Sequence, residues 1–130
     1  MNDPFPIVEV PEYSERLYAR RLEGVMVPLA VVSLGAWNPA PNDCHANVST
    51  WCKNMPKYTA VRGWLYFDYV DALPYVLFNA HSVIRAPDGR LWDITPTLAS
   101  QPYPFLSTEG TDGEYEQLVE GGVSRIRHIK

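Results

Sequence analysis

The feature that most restricts how this chain can fold is the pentapeptide Ala86-Pro87-Asp88-Gly89-Arg90. It lies between Tyr75 to Arg85 (YVLFNAHSVIR) and Leu91 to Thr95 (LWDIT). Proline favours the first central position of a type I turn, aspartate suits the second, and glycine takes the left-handed position that follows. The pattern predicts a three-residue hairpin loop closed by a bulge. Ala86 then pairs with Arg90, Val83 lies opposite Asp93, and His81 lies opposite Thr95. In that register His81 and Asp93 share a face as diagonal neighbours, with Cβ atoms somewhat under roughly 7–8 Å apart. A two-residue Asp-Gly loop would pair Ile84 with Asp93 and send His81 to the other face, because a one-residue slip flips every side chain. Pro87 selects the longer loop.

Upstream, Gly35 to Asn42 (GAWNPAPN) reads as a loop, and Asp43 falls where a helix N-cap belongs, directly before Cys44. Cys44, Val48, Trp51 and Cys52 follow the i, i+4, i+7, i+8 spacing of one helix face, and Pro56 ends the helix. The same reading gives a Pro-rich surface arm over residues 1–12, and a helix over Glu12 to Leu22 with Leu17, Tyr18 and Leu22 as its apolar stripe. Val25 to Leu34 is expected as a buried strand or a short helix. Tyr58 to Tyr69 and Tyr75 to Arg85 read as strands, and Leu91 to Thr95 as a short third. Pro96 to Gly113 is loop-rich, and within it Gln101 to Leu106 reads as a lid or a plain surface loop. Glu114 to Glu120 is expected to form a helical turn or two, and Val123 to Ile129 a last strand.

A chain of 130 residues fits one domain. With 46% hydrophobic and 20% charged residues it is too apolar to stay disordered. A net charge of -4 argues against a nucleic-acid partner, which calls for a basic face. No basic region followed by an apolar run opens the chain, and Val25 to Leu34, interrupted by Pro28, is far short of a membrane span. A soluble, cytoplasmic protein is therefore expected, with no membrane partner; delivery as an effector would look the same. Cys44 and Cys52 would be separated by about 12 Å of helical rise, beyond disulfide reach, so both are expected as free thiols.

Three residues then acquire a chemical reading. A helix N-terminus favours negative charge, and an imidazolium partner lowers a thiol further, which is what a nucleophilic cysteine needs. Cys44 has the first through its position. His81 would supply the second, acting as general base and then as acid toward the leaving group, and Asp93 would orient the ring and steady its positive form. The backbone N–H of Cys44 is the natural first oxyanion donor. Asn38 and Trp37 in the preceding loop are candidates for a second, and Asn47, nearly one turn after Cys44, is a candidate for supporting the site. Trp64 and His45 are candidates for lining a substrate pocket, although a strand tryptophan is more often a core residue. Gly63 marks a bulge or a close backbone approach. A metal site built from Cys44, His45, Cys52 and His81 matches no structural-zinc spacing, so no metal and no cofactor is expected. His128, near the end of the chain, is expected to be exposed.

The order of a Cys at a helix start, a His on a strand and an Asp on the next strand resembles the transglutaminase-like branch of the papain-like cysteine enzymes. There a segment of the form H-(apolar strand)-G-x-W-x-x-x-D-P/T closes the site. This chain carries His81-Ser82-Val83-Ile84-Arg85 and then Gly89-Arg90-Leu91-Trp92-Asp93-Ile94-Thr95-Pro96. The resemblance spans residues 37–96. It departs at Ser82 and Val83, where an aromatic residue is usual, and in lacking a Trp directly before Cys44. It implies an α+β fold: a small papain-like or transglutaminase-like core in a single domain over 1–130, with the Cys-bearing helix packed on an antiparallel sheet that carries His and Asp. It also implies a cysteine hydrolase with a Cys-His-Asp triad. Such an enzyme would cleave an amide bond of a protein or peptide substrate, as peptidase, amidase or glutamine deamidase, through a Cys44 thioester. Transglutaminase-type transfer to an amine, and a binding or inhibitor module that keeps the fold without the chemistry, stay open as alternatives.

Overall fold

The structure, a computed structural model, describes residues 6–69, 73–97 and 103–130. The fold is α+β. Among the described residues its helices are α1 (Pro11–Ala19), α2 (Cys44–Asn54) and α3 (Asp112–Glu120), with a 3-10 turn at Arg21–Glu23. Its strands are β1 (Ile7–Val8), β2 (Thr59–Phe67), β3 (Tyr75–Arg85), β4 (Leu91–Trp92), β5 (Phe105–Ser107) and β6 (Arg125–Ile129). They lie in the order β1-β6-β3-β2-β5, with β4 beside β3. The β1–β6 pair is parallel, whereas β3–β6, β2–β5 and β3–β4 are antiparallel.

The chain forms two compact units, neither of them a continuous stretch of sequence. Among the described residues, the first takes 6–25, 63–69, 73–80 and 103–130, and the second takes 26–62 and 81–97. The first unit's core contains Tyr13, Leu17, Trp64, Val76, Phe78, Leu106, Tyr115 and Ile126. α1 starts with Pro11 in its first turn, where a missing N–H costs nothing. The helix stops at Ala19, earlier than the sequence pattern indicates, and its buried face is Tyr13, Ser14 and Leu17. Leu22 lies past the helix end and is 90% exposed, so the expected stripe through Leu22 does not form. α3 is capped by Thr111, whose Oγ1 accepts a hydrogen bond from the N–H of Glu114 at 3.2 Å.

Three further expectations change in this unit. The N-terminal arm contributes β1 and the start of α1. β5 falls inside the stretch read as a loop or lid: Phe105 and Leu106 are buried and pair with Leu65 and Trp64, while Gln101 and Pro102 lie outside the described residues. His128 is half-buried, with its Nδ1 2.7 Å from the hydroxyl of the fully buried Ser14 and its ring against Tyr18. The cause is β6, which pairs His128 with Val76 and draws it onto the sheet.

The second unit has its own core: Val48 and Trp51 of α2, with Ile84 of β3 and Ile94. The helix face read from the sequence is thus the buried one, with Cys52 packed beside it. The segment expected as a buried strand or helix over Val25 to Leu34 is neither. It is extended and bridged only at single positions, and Met26 and Leu29 are exposed. Pro28 can donate no ladder hydrogen bond, and its carbonyl instead accepts from the N–H of Asp93 at 2.9 Å. The hairpin has the expected register: Ile84 pairs with Trp92 and Arg85 with Leu91, and the N–H of Ala86 donates to the carbonyl of Arg90. Gly89 holds φ +87°, the left-handed conformation the turn demands.

Gly63, in the first unit, marks a close backbone approach. A Cβ there would come to 2.0 Å from the carbonyl oxygen of Leu106. We expect Gly63→Ala to lower the stability of the chain by about 1–3 kcal/mol through overpacking, read as a drop in the urea midpoint with an unchanged slope.

Candidate active site

The second unit brings Cys44, His45, Arg62, Ser82, His81 and Asp93 into one polar cluster. Cys44 is the first residue of α2. Asp43 stands at the N-cap but makes no side-chain cap hydrogen bond; its backbone carbonyl accepts from the N–H of Asn47 at 2.9 Å. His81 sits on β3, and its Nε2 lies 2.7 Å from Oδ2 of Asp93. The two side chains are only 13% and 15% exposed. Both His81 and His45 act on the Cys44 thiol, each lowering its pKa.

The electrostatics follow from these contacts. Burial is the largest effect on Cys44 and pushes its thiol up. Hydrogen bonds to His45 and His81, together with the charge on the two rings, outweigh it and lower the pKa to about 6. Burial likewise depresses His81 most strongly, but hydrogen bonds to Asp93 and Cys44 and the negative charge on both raise it to about 9. Between these values the pair is a thiolate facing an imidazolium. Cys52, two turns along the same helix, shows the opposite balance: burial raises its thiol, and Arg62 offsets that only in part. Both cysteines are free thiols.

The supporting residues divide unevenly. Asn47 is 3% exposed. Its Oδ1 accepts from the N–H of Ala40 at 2.9 Å, and its Nδ2 donates to the carbonyl of Ala40 at 2.8 Å and to Oγ1 of Thr95 at 3.0 Å. Asn47 therefore ties the loop before α2 to the segment after Asp93, and its amide is consumed in doing so. Thr95 in turn donates its N–H to Oδ1 of Asp93 at 3.1 Å. Asn38 is exposed, and Trp37 packs against the unit's core. Trp64 belongs to the other unit, where it is fully buried and donates its Nε1–H to the hydroxyl of Tyr13 at 2.9 Å. Its expected part in a substrate pocket is corrected on that ground, since every atom that could touch a ligand is covered by core.

His45 is one of the groups that lower the Cys44 thiol. Its Nδ1 lies 2.6 Å from the hydroxyl of Ser82. Arg62 donates from Nη1 to that hydroxyl at 2.9 Å and to the backbone carbonyl of His45 at 3.3 Å, and from Nη2 to Ser49 at 2.9 Å. Ser82 and Arg62 were not legible as site residues. The available signals were a cation in the middle of the strand-like YTAVRGWLYF and a small hydroxyl beside His81 in an apolar run. Among the described residues, no group of three or more His, Cys, Asp or Glu side chains could hold a metal ion, and no helix is long and apolar enough to cross a membrane. No protein-family model matches the chain, and neither a curated protein nor a solved structure matches it.

Two outcomes test this geometry. Alkylation of Cys44 by iodoacetamide, followed by peptide mapping, is expected to rise with pH to a half-maximum near pH 6, while Cys52 reacts only in alkaline solution. Asp93→Asn removes the charge that favours protonated His81. The ring's midpoint, followed by NMR, should fall from about 9, and the Cys44 midpoint should rise as its cationic partner is lost. Separately, Asn47→Ala should cost about 2 kcal/mol, because it leaves buried polar partners unsatisfied; chemical denaturation measures it.

Proposed function

We propose that this chain is a thiol-dependent acyl-transfer enzyme that hydrolyses an amide bond of a protein or peptide, as peptidase, amidase or glutamine deamidase, through a thioester on Cys44. The observation that carries this reading is the pairing of His81 with Asp93 at 2.7 Å in the same unit as Cys44, which starts α2 and whose thiol His81 lowers. On the same reading the fold is a reduced papain-like, transglutaminase-like core, supported by the order of these three residues along the chain and by the α+β architecture that holds them.

The reaction runs in two halves. The Cys44 thiolate attacks the amide carbonyl carbon, and the charge that develops on oxygen meets the backbone N–H groups at the helix start, Cys44 first among them. The C–N bond then breaks while the His81 imidazolium gives its proton to the departing nitrogen. An amine, or ammonia from a glutamine side chain, leaves, and the acyl group remains on sulfur as a thioester. Water attacks that thioester and passes a proton to neutral His81. The C–S bond breaks, the acid departs, and the thiolate–imidazolium pair is restored. The sum is amide plus water to acid plus amine. Asp93 holds the ring in place and stabilises its charge in both halves. A primary amine in place of the water would give transfer instead.

The test is to incubate the full chain with p-nitrophenyl acetate, quench in acid and weigh it intact. An acetyl group mapped to Cys44 is the expected result. His81→Ala should slow acylation by about 10²–10⁴-fold, and Cys44→Ala should abolish the adduct. Acetylation of Cys44→Ala at the rate of the unaltered chain would overturn the reading. Adding a primary amine then separates the outcomes: hydrolysis leaves the acid as the product, and transfer leaves the amide.

A further inference from the structure

We propose that Arg62 is a positioning residue of the thiol site: its guanidinium fixes the first turns of α2, which start at Cys44, against β3 at Ser82, the residue that follows His81. The catalytic meaning of that role rests on the acyl-enzyme reading above. Nη1 of Arg62 donates to the Ser82 hydroxyl at 2.9 Å and to the backbone carbonyl of His45 at 3.3 Å, and Nη2 donates to the Ser49 hydroxyl at 2.9 Å. His45 and Ser49 stand one turn apart on α2 and share a helix face. One planar group thus grips two successive turns of the helix and one residue of the strand. The Ser82 hydroxyl is fully buried, and it also lies 2.6 Å from Nδ1 of His45, a second link between the same two elements. A guanidinium presents its donors in a rigid fork, whereas an ammonium is a point charge on a flexible stem that does not reproduce it.

Arg62 acts through the main chain. Successive residues of a strand point to opposite faces, so a contact at Ser82 fixes the backbone of β3 beside His81 and leaves the ring itself to Asp93. Asn47 makes a matching tie from the same helix: it reaches Thr95, just past Asp93 in the chain. The two ties together set where the start of α2 stands relative to a His81–Asp93 pair that its own hairpin already closes. The charges separate this role from a simple field effect. Those that act on Cys44 are His81 and His45, whereas the charge of Arg62 acts on Cys52. Asp93 stands behind His81, and Asp43 precedes Cys44 in the chain.

The experiment alkylates the full chain with iodoacetamide across pH and maps both cysteines, in the unaltered protein, in Arg62→Lys and in Arg62→Met. Lysine keeps the charge and loses the fork; methionine loses both. The Cys44 midpoint should rise by about one unit in both variants, roughly a ten-fold loss of rate at about pH 5. The Cys52 midpoint should rise in Arg62→Met and stay in place in Arg62→Lys, since that thiol responds to the charge. The His81 midpoint, read by NMR, should fall in both variants but stay above that of Asp93→Asn, because Asp93 keeps its share. A Cys44 midpoint unmoved in Arg62→Lys overturns the proposal, whether or not Arg62→Met raises it, because charge alone would then account for the effect. A role confined to stability would lower the melting temperature and leave the Cys44 midpoint in place, which overturns it equally. If Arg62→Met fails to fold, Arg62→Lys decides alone. Alkylation involves no acyl donor, so the two readings fail separately. An unaltered chain that alkylates at the low midpoint but is never acetylated ends the acyl-enzyme reading and leaves Arg62 as the residue that positions the thiol.

Discussion

The carboxylate of Asp93 is the interaction on which the rest of the second unit depends. An acid only 15% exposed is costly unless nearly every polar atom of the residue is engaged. Here all of them are. Oδ2 takes the His81 ring and Oδ1 the N–H of Thr95, while the backbone N–H donates to Pro28 and the backbone carbonyl accepts from Ala30. The hairpin, the extended segment before the loop and, through Thr95 and Asn47, the start of α2 are all fastened to one residue, by its backbone and its carboxylate. The carboxylate that holds the imidazole also accepts the N–H of Thr95, while the main chain of the same residue holds the segment at Pro28 and Ala30.

The same unit shows how little a cysteine's sequence position says about its chemistry. Cys44 and Cys52 lie on one helix, both half-buried. One faces two imidazoles and is held low; the other packs beside the core cluster and is held high. Desolvation is the largest influence on each. What differs is whether a hydrogen-bonding partner is present to reverse it.

Much of this arrangement was legible in the sequence, and the reasons are local. Pro87, Asp88 and Gly89 impose a turn that tolerates one register, so the approach of His81 to Asp93 followed from five residues of turn chemistry. The start of α2 was legible because the loop GAWNPAPN ends at Asp43, although the expected side-chain cap is absent. The failures come from tertiary structure overriding composition. Val25 to Leu34 has the β-branched residues of a strand, but Pro28 and one-sided pairing with Asp93 leave it without a ladder. β5 is three residues long and lies in a Pro-rich stretch, too short for any periodicity to register. Ser82 and Arg62 were missed because their meaning depends on His45, which reaches them only when distant strands and a helix meet.

The spacing of the site along the chain has a consequence in time. His81 and Asp93 are 12 positions apart and joined by a tight turn, whereas His45 and Ser82 are 37 apart, as are Cys44 and His81. Closing the longer loop costs only about 1 kcal/mol more in chain entropy, but it cannot happen until the intervening strand has been made. A nascent chain therefore carries Cys44 as an ordinary, mostly protonated thiol well before its histidine emerges. The low thiol pKa belongs to the folded protein alone. The contacts that lower the thiol exist only once folding has brought His81, and the acid behind it, into the same unit.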